Sequence, residues 1–235
     1  MNFLRMTEKY FRTGSWLLVL AIVLTVAVCG CKKTDDTYTN FQNTAGRFNG
    51  SALAYLQSQP GVYDSMLLVI NRLTGIRDSL TNNDLTVFAV TNRSFSLALQ
   101  NINQARRDSI PAMPEVSFST MDSAVLDTFF CRYLVHTKQL SDDLTGFTDG
   151  RLFSSLRYNY NMQMQFTQTN ASGYLHGGPK AIIFSDPKNS VFTRNWIRAT
   201  TITVDVKTAN AVVHLLPPGH DFGFGTDFIR NINKR

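Results

Sequence analysis

Trp16 to Val28 runs apolar without a charge for 13 residues, behind a start that carries Arg5, Lys9 and Arg12 against Glu8. As a helix this stretch reaches about 20 Å, short of the ~30 Å hydrocarbon core of a bilayer. Residues 32 to about 46 are polar, rich in Thr, Asp and Asn, and too poor in large apolar groups to pack, so they read as a flexible tether. From Asn49 the pattern becomes periodic. Ser51 can cap a short helix to Gln59 that ends at Pro60-Gly61. Tyr63, Met66, Leu67, Ile70 and Leu73 recur at helical spacing, with Gly75 as the stop and a turn at Asn82-Asn83-Asp84. Leu85 to Val90 is apolar on both faces, which predicts a central strand. Asn92 is placed to cap a helix carrying Phe95, Leu97, Ala98 and Ile102. After a loop with Pro111 and Pro114, another helix starts near Ser119 or Thr120, its apolar face made of Val125, Leu126, Phe129, Phe130 and Tyr133.

The second half alternates instead. Tyr158, Tyr160, Met162, Met164 and Phe166 are separated by Asn159, Asn161, Gln163 and Gln165, the period of a half-buried strand. Ala181 to Phe184, Thr200 to Val206 and Ala211 to Leu216 predict three more strands, with a loop from Asp186 to Arg198 and a turn at Lys207 to Asn210. Helices fall mainly in the first half and strands in the second, which is the order of an α+β domain, here from residue 48 to 220. Residues 221–235 form a C-terminal extension, whose Phe222, Phe224 and Phe228 are expected to fold back onto the domain.

A positive end, a short apolar run and a small-residue exit describe a cleaved secretory signal over residues 1–30. The exit, Val28-Cys29-Gly30-Cys31, resembles a lipobox. Cys31 follows Gly30, which leaves a peptidase room to approach, whereas Cys29 follows the bulky Val28. The resemblance implies a diacylglyceryl thioether on Cys31, with acyl chains such as palmitate holding the chain to a membrane. Lys32-Lys33-Thr34-Asp35-Asp36 has no Asp directly after the Cys, and its Lys followed by paired acids resembles the surface-export signal of some Gram-negative lipoproteins. That implies an outer-membrane, outward-facing location.

Composition removes several classes. The full chain has 235 residues and formal net charge +6, and losing the leader's three cations and one anion lowers the charge to about +4. Lys and Arg are scattered, with no basic stripe among aromatics, so a nucleic-acid partner is not expected. Of the three Cys, only Cys131 would remain free in the mature chain, in an apolar setting that predicts a buried, inert thiol. The chain has no Gly-x-Ser-x-Gly elbow, no His-Glu-x-x-His and no phosphate loop. His176-Gly177-Gly178-Pro179 reads as a glycine-rich loop, and Asp142-Asp143 and Asp221 lack cation-ligand spacing. No enzyme activity, cofactor or metal is expected.

Three segments in order carry a family resemblance. Thr86-Val87-Phe88-Ala89-Val90-Thr91 with Phe95 stands where a fasciclin-type domain has Thr-Val-Phe-Ala-Pro-Thr and a following Phe, with Val90 in place of Pro. Asn210-Ala211-Val212-Val213-His214-Leu215-Leu216 matches Asn-Gly-Val-Val-His-Val-Ile, with Ala211 in place of Gly. Tyr133 to Leu144 fills the place of a Tyr-His segment leading into Leu-Ser-x-x-Leu, with Leu134 at the family's His position and His136 two residues further on. The chain therefore resembles a fasciclin-like domain, its helices packed on a β-sandwich or wedge. The resemblance implies an adhesion or interaction module that binds an extracellular protein or polysaccharide, with Tyr133, His136 and His214 as candidate contacts. An alternative is an accessory subunit of an outer-membrane glycan uptake system, in which Tyr158, Tyr160 and Trp196 would touch sugar. An extracellular hydrolase would instead need a deep pocket with convergent polar groups.

Overall fold

The computed structural model describes residues 46–170 and 178–234. The leader, the lipid-attachment candidate Cys31, nearly all of the tether, and His176-Gly177 lie outside the described residues. Ser51 caps the first helix, α1 (Ala52–Gln57), by accepting the Ala54 N–H at 3.2 Å. Helix α2 (Asp64–Arg72) buries Met66, Val69 and Ile70. Gly75, predicted only as a stop, adopts φ +76° and leads at once into a helix the periodicity did not reveal, α3 (Ile76–Asn82). Strand β1 (Leu85–Ala89) is buried throughout, as its double-faced apolar pattern predicted.

Helix α4 (Asn92–Arg107) turns Phe95, Ala98 and Ile102 inward. Its N-cap position is Thr91, not Asn92. The Asn92 side chain instead accepts the Ser65 N–H at 2.7 Å and donates to the Gly61 carbonyl at 2.9 Å, tying α4 to the start of α2. Helix α5 (Ser123–Phe130) begins later than expected because Asp122 is the residue that caps it, accepting the Val125 N–H at 2.9 Å.

Two four-stranded sheets follow from the remaining strands, β2 (Leu134–His136), β3 (Arg151–Ser154), β4 (Asn161–Gln168), β5 (Lys180–Asp186), β6 (Ile197–Thr200), β7 (Thr203–Lys207) and β8 (Ala211–Leu215). One sheet has the order β2-β1-β8-β7, with β1 and β8 parallel and in register from Leu85 opposite Ala211 to Ala89 opposite Leu215. The other is the antiparallel sheet β3-β4-β5-β6. Phe88 of the first stacks on Phe184 of the second with centroids 3.6 Å apart, so the two sheets share one core. This is a mixed α+β architecture with two sheets.

Strand β4 begins at Asn161 rather than Tyr158. Tyr158 and Asn159 have φ of +66° and +48°, so the chain turns there before it extends. The C-terminal segment set off at residue 221 is not separate from the domain. Phe222, Phe224, Phe228 and Ile232 are buried in the common core, the last two on helix α6 (Thr226–Ile232). The expected fold-back of these phenylalanines is what the structure shows.

Candidate functional site

The residues that carry the sequence motifs meet around one backbone position. Gln139 donates its N–H to Thr86 Oγ1 at 2.9 Å, and its carbonyl faces His214 Nε2 at 3.0 Å. His214 Nδ1 accepts the Asp205 N–H at 3.2 Å, so the imidazole is the Nε2–H tautomer and donates to Gln139. Asp205 in turn accepts the Ser141 N–H at 2.7 Å and the Ser141 hydroxyl. Asn210 accepts from Ala52 N at 2.9 Å and donates to the carbonyls of Leu80 and Asn83, pinning α1 to the end of α3. These are scaffold contacts. His214 is fully buried, and burial pulls its pKa down to about 4, against the smaller opposing pull of Asp205.

Tyr133 is also fully buried and cannot serve as a surface contact. Its hydroxyl accepts the Gly223 N–H at 2.8 Å and lies 2.7 Å from His220 Nε2, the acceptor in reach of the phenolic proton. Its ring stacks between Phe222 and Phe224 at 5.3 and 5.4 Å. His136, by contrast, is exposed at the end of β2. The three candidate contacts are thus not brought together: two are interior supports and one is at the surface.

Two ion pairs, one buried and one half-exposed, hold the tyrosines proposed as sugar contacts, and Tyr158 stays exposed while Tyr160 is half-buried. Arg132 pairs with Asp186 at 2.6 Å, its guanidinium held between the rings of Phe129 and Tyr160 at 4.1 and 3.9 Å. The Tyr160 hydroxyl donates to the same Asp186. Asp127 accepts two hydrogen bonds from Arg157 at 2.9 Å and one from Tyr158 at 2.5 Å. Cys131 points its thiol at Asp127 from 3.5 Å, and burial raises its pKa, so it is a poor nucleophile. Sequence reasoning missed both pairs, because each joins residues about 30 or more positions apart.

An open cleft of about 490 Å³ lies between β6 and the turn that follows β8. Pro217, Phe224, Ile197 and Ala199 give it an apolar lining, and Arg198, His220 and Asp221 give it polar groups. Burial lowers the pKa of His220 to about 4, so the ring is neutral at pH 7. Burial also raises the pKa of Asp221, against a weak hydrogen bond from Asn101 at 3.4 Å. The arrangement suits recognition of a ligand with both polar and apolar parts. His220 is held by Tyr133, which fixes the ring as part of the wall.

No protein-family model matches the chain, and no curated protein matches it. Among solved structures, it is similar to a FAS1 domain pair from the insect cell adhesion molecule fasciclin I, at 14% identity and a TM-score of 0.45. The match covers 74% of this chain and 46% of that one, so the chain spans about half the length of that structure. Among the described residues, no three His, Cys, Asp or Glu cluster to hold a metal ion, and no helix is long and apolar enough to cross a membrane.

Proposed function

We propose that this chain is a non-enzymatic interaction or adhesion module of a Gram-negative cell envelope, anchored by lipid on Cys31 and binding an extracellular protein or polysaccharide. The observation that carries the reading is how the reactive side chains are used. Cys131, His214 and Tyr133 are buried and bonded into the scaffold, and what faces outward at His220 is an open, half-apolar cleft. Such a cleft offers shape and a few polar contacts rather than a nucleophile beside a base. The order of the three fasciclin-like segments and the lipobox-like exit support the same reading. A tether of about fifteen residues would let weak contacts act at high local concentration near the membrane.

Two measurements test it. Mass spectrometry of the processed protein should find Cys31 as a diacylated N-terminus, and a Cys31→Ser variant should leave the membrane fraction. A glycan and matrix-protein array probed with the protein and with Asp221→Asn should yield a ligand whose binding weakens on loss of the cleft carboxyl group. An unmodified Cys31 would remove the anchor from the reading. Turnover of an array substrate would remove the non-enzymatic role.

A further inference from the structure

We propose that the loop between β5 and β6 docks the domain onto an anionic lipid bilayer through the tip Val191-Phe192 and the arginines beside it. This goes beyond the reading above and does not depend on acylation of Cys31.

The loop runs from Pro187 to Trp196 as Pro-Lys-Asn-Ser-Val-Phe-Thr-Arg-Asn-Trp, without an acidic residue. Val191 is 85% exposed and Phe192 60% exposed, among the most exposed large apolar side chains described. The loop's own hydrogen bonds hold these two side chains outward. Ser190 is the hub: its hydroxyl accepts from Phe192 N at 3.1 Å and from Asn195 Nδ2 at 3.0 Å, and its carbonyl accepts from Trp196 Nε1 at 2.8 Å. The base is fastened too. Lys188 N donates to the buried Asp186 at 2.9 Å, and Lys188 Nζ pairs with Asp227 of α6 at 3.4 Å. A tip built this way is already in its binding shape, so little ordering entropy is lost when it docks.

The cations choose the partner. Arg194 sits 5.4 Å from the Phe192 ring and Arg198 sits 5.8 Å from the Trp196 ring. Among the described residues, neither pairs with a carboxylate. An apolar tip, an indole at its foot and guanidinium groups without a carboxylate partner match the layers of a bilayer from acyl chains to phosphates, Arg198 donating only to the Thr193 carbonyl at 3.0 Å. A sugar surface would take the aromatic ring but has no place for Val191. A two-fold contact centred on the tip would gather four guanidinium groups, none with a carboxylate partner, near one axis.

The test uses the full chain with Trp16→Phe, which leaves Trp196 as the sole tryptophan of the two. Vesicles of phosphatidylcholine with about 30% phosphatidylglycerol, a strongly anionic surface, are compared with phosphatidylcholine alone. Emission of Trp196 should shift to the blue and be quenched by brominated acyl chains on the anionic vesicles. Val191→Ser with Phe192→Ser should weaken this binding at least about tenfold. Arg194→Gln with Arg198→Gln should weaken it about 30-fold, on anionic vesicles only. Val191, Phe192, Arg194 and Arg198 are all exposed, so their replacement should not move the melting temperature. Because every variant keeps the apolar leader, attachment through the leader alone would give equal quenching with and without the tip, and that result overturns the proposal. Unmoved Trp196 emission overturns it as well. Light scattering that shows dimers dissolved by the tip variant, without quenching, would assign the tip to a second copy instead.

Discussion

Replacing Tyr133 with Phe removes one oxygen and leaves the ring, so it separates the hydroxyl's bonds from the aromatic packing. In the native protein that oxygen accepts from Gly223 N and pairs with His220 Nε2, both inside the core. The variant leaves a buried backbone donor and a buried ring nitrogen without partners, each costing about 1–3 kcal/mol, while the desolvation of the hydroxyl itself is relieved. The ring should keep its contacts with Phe222, Phe224 and Phe184, so no cavity term adds to this. The expected loss is about 2–4 kcal/mol, which for a domain of this size lowers the melting temperature by about 5–15 °C. Urea denaturation should show the midpoint fall with the slope unchanged. A cycle with His220→Ala should give a coupling of about 1–2 kcal/mol, since the two side chains share one bond. A loss under about 0.5 kcal/mol would refute the assignment, because it would mean that water or another group satisfies Gly223 N as well as the phenol does.

Stability should fall as pH drops from about 6.5 towards about 4. His214 and His220 titrate near 4 when folded against 6.5 when unfolded, so in this window the unfolded chain binds more protons, with a slope of about 1.4 kcal/mol per pH unit for each, read by denaturation at stepped pH. Gly223→Ala should destabilise by about 2–5 kcal/mol in thermal melts, because φ is +85° and a Cβ would lie 2.5 Å from the Phe228 ring. Asp186→Ala should cost about 3–5 kcal/mol by leaving Arg132 charged and unpaired in the core, and Asp186→Leu with Arg132→Met should recover much of that loss in denaturant titrations.

Patterns that act within a few residues of one another were legible in the sequence. The Ser51 cap, the fully buried β1, the inward face of α4 and the buried Met162 and Met164 each depend on local spacing, and each stands where it was read. Strand β6 was missed because four residues with Ile197 half-buried and only Ala199 fully buried give no period to detect. The alternation at Tyr158 and Tyr160 misled for a different reason. Those rings are placed by hydroxyl bonds to Asp127 and Asp186, 31 and 26 positions away, and the backbone beneath Tyr158 is left-handed rather than extended. Tyr133 and His214 lie in the interior for a related reason. Residue type shows that Tyr133 and His214 can bond, but only the closed fold supplies Gly223 and Gln139 as their partners.

The C-terminal turn joins stability to recognition. Pro217 and Pro218 end β8, and their carbonyls lie 3.4 and 3.3 Å from the Ser94 hydroxyl of α4. The chain can then reverse only through left-handed residues, and Gly223, Phe224 and Gly225 all have positive φ. That reversal puts Phe222 and Phe224 against Tyr133 on one side and leaves His220, Asp221 and Gly225 lining the cleft on the other. The same few residues therefore close the core and form the outward wall. A ligand in the cleft would bear on groups whose positions are set by the Tyr133 hydroxyl, so ligand affinity and fold stability should respond together to changes at Tyr133, His220 and Gly223. The β5–β6 tip is held by Ser190 and Lys188 and should respond independently of them.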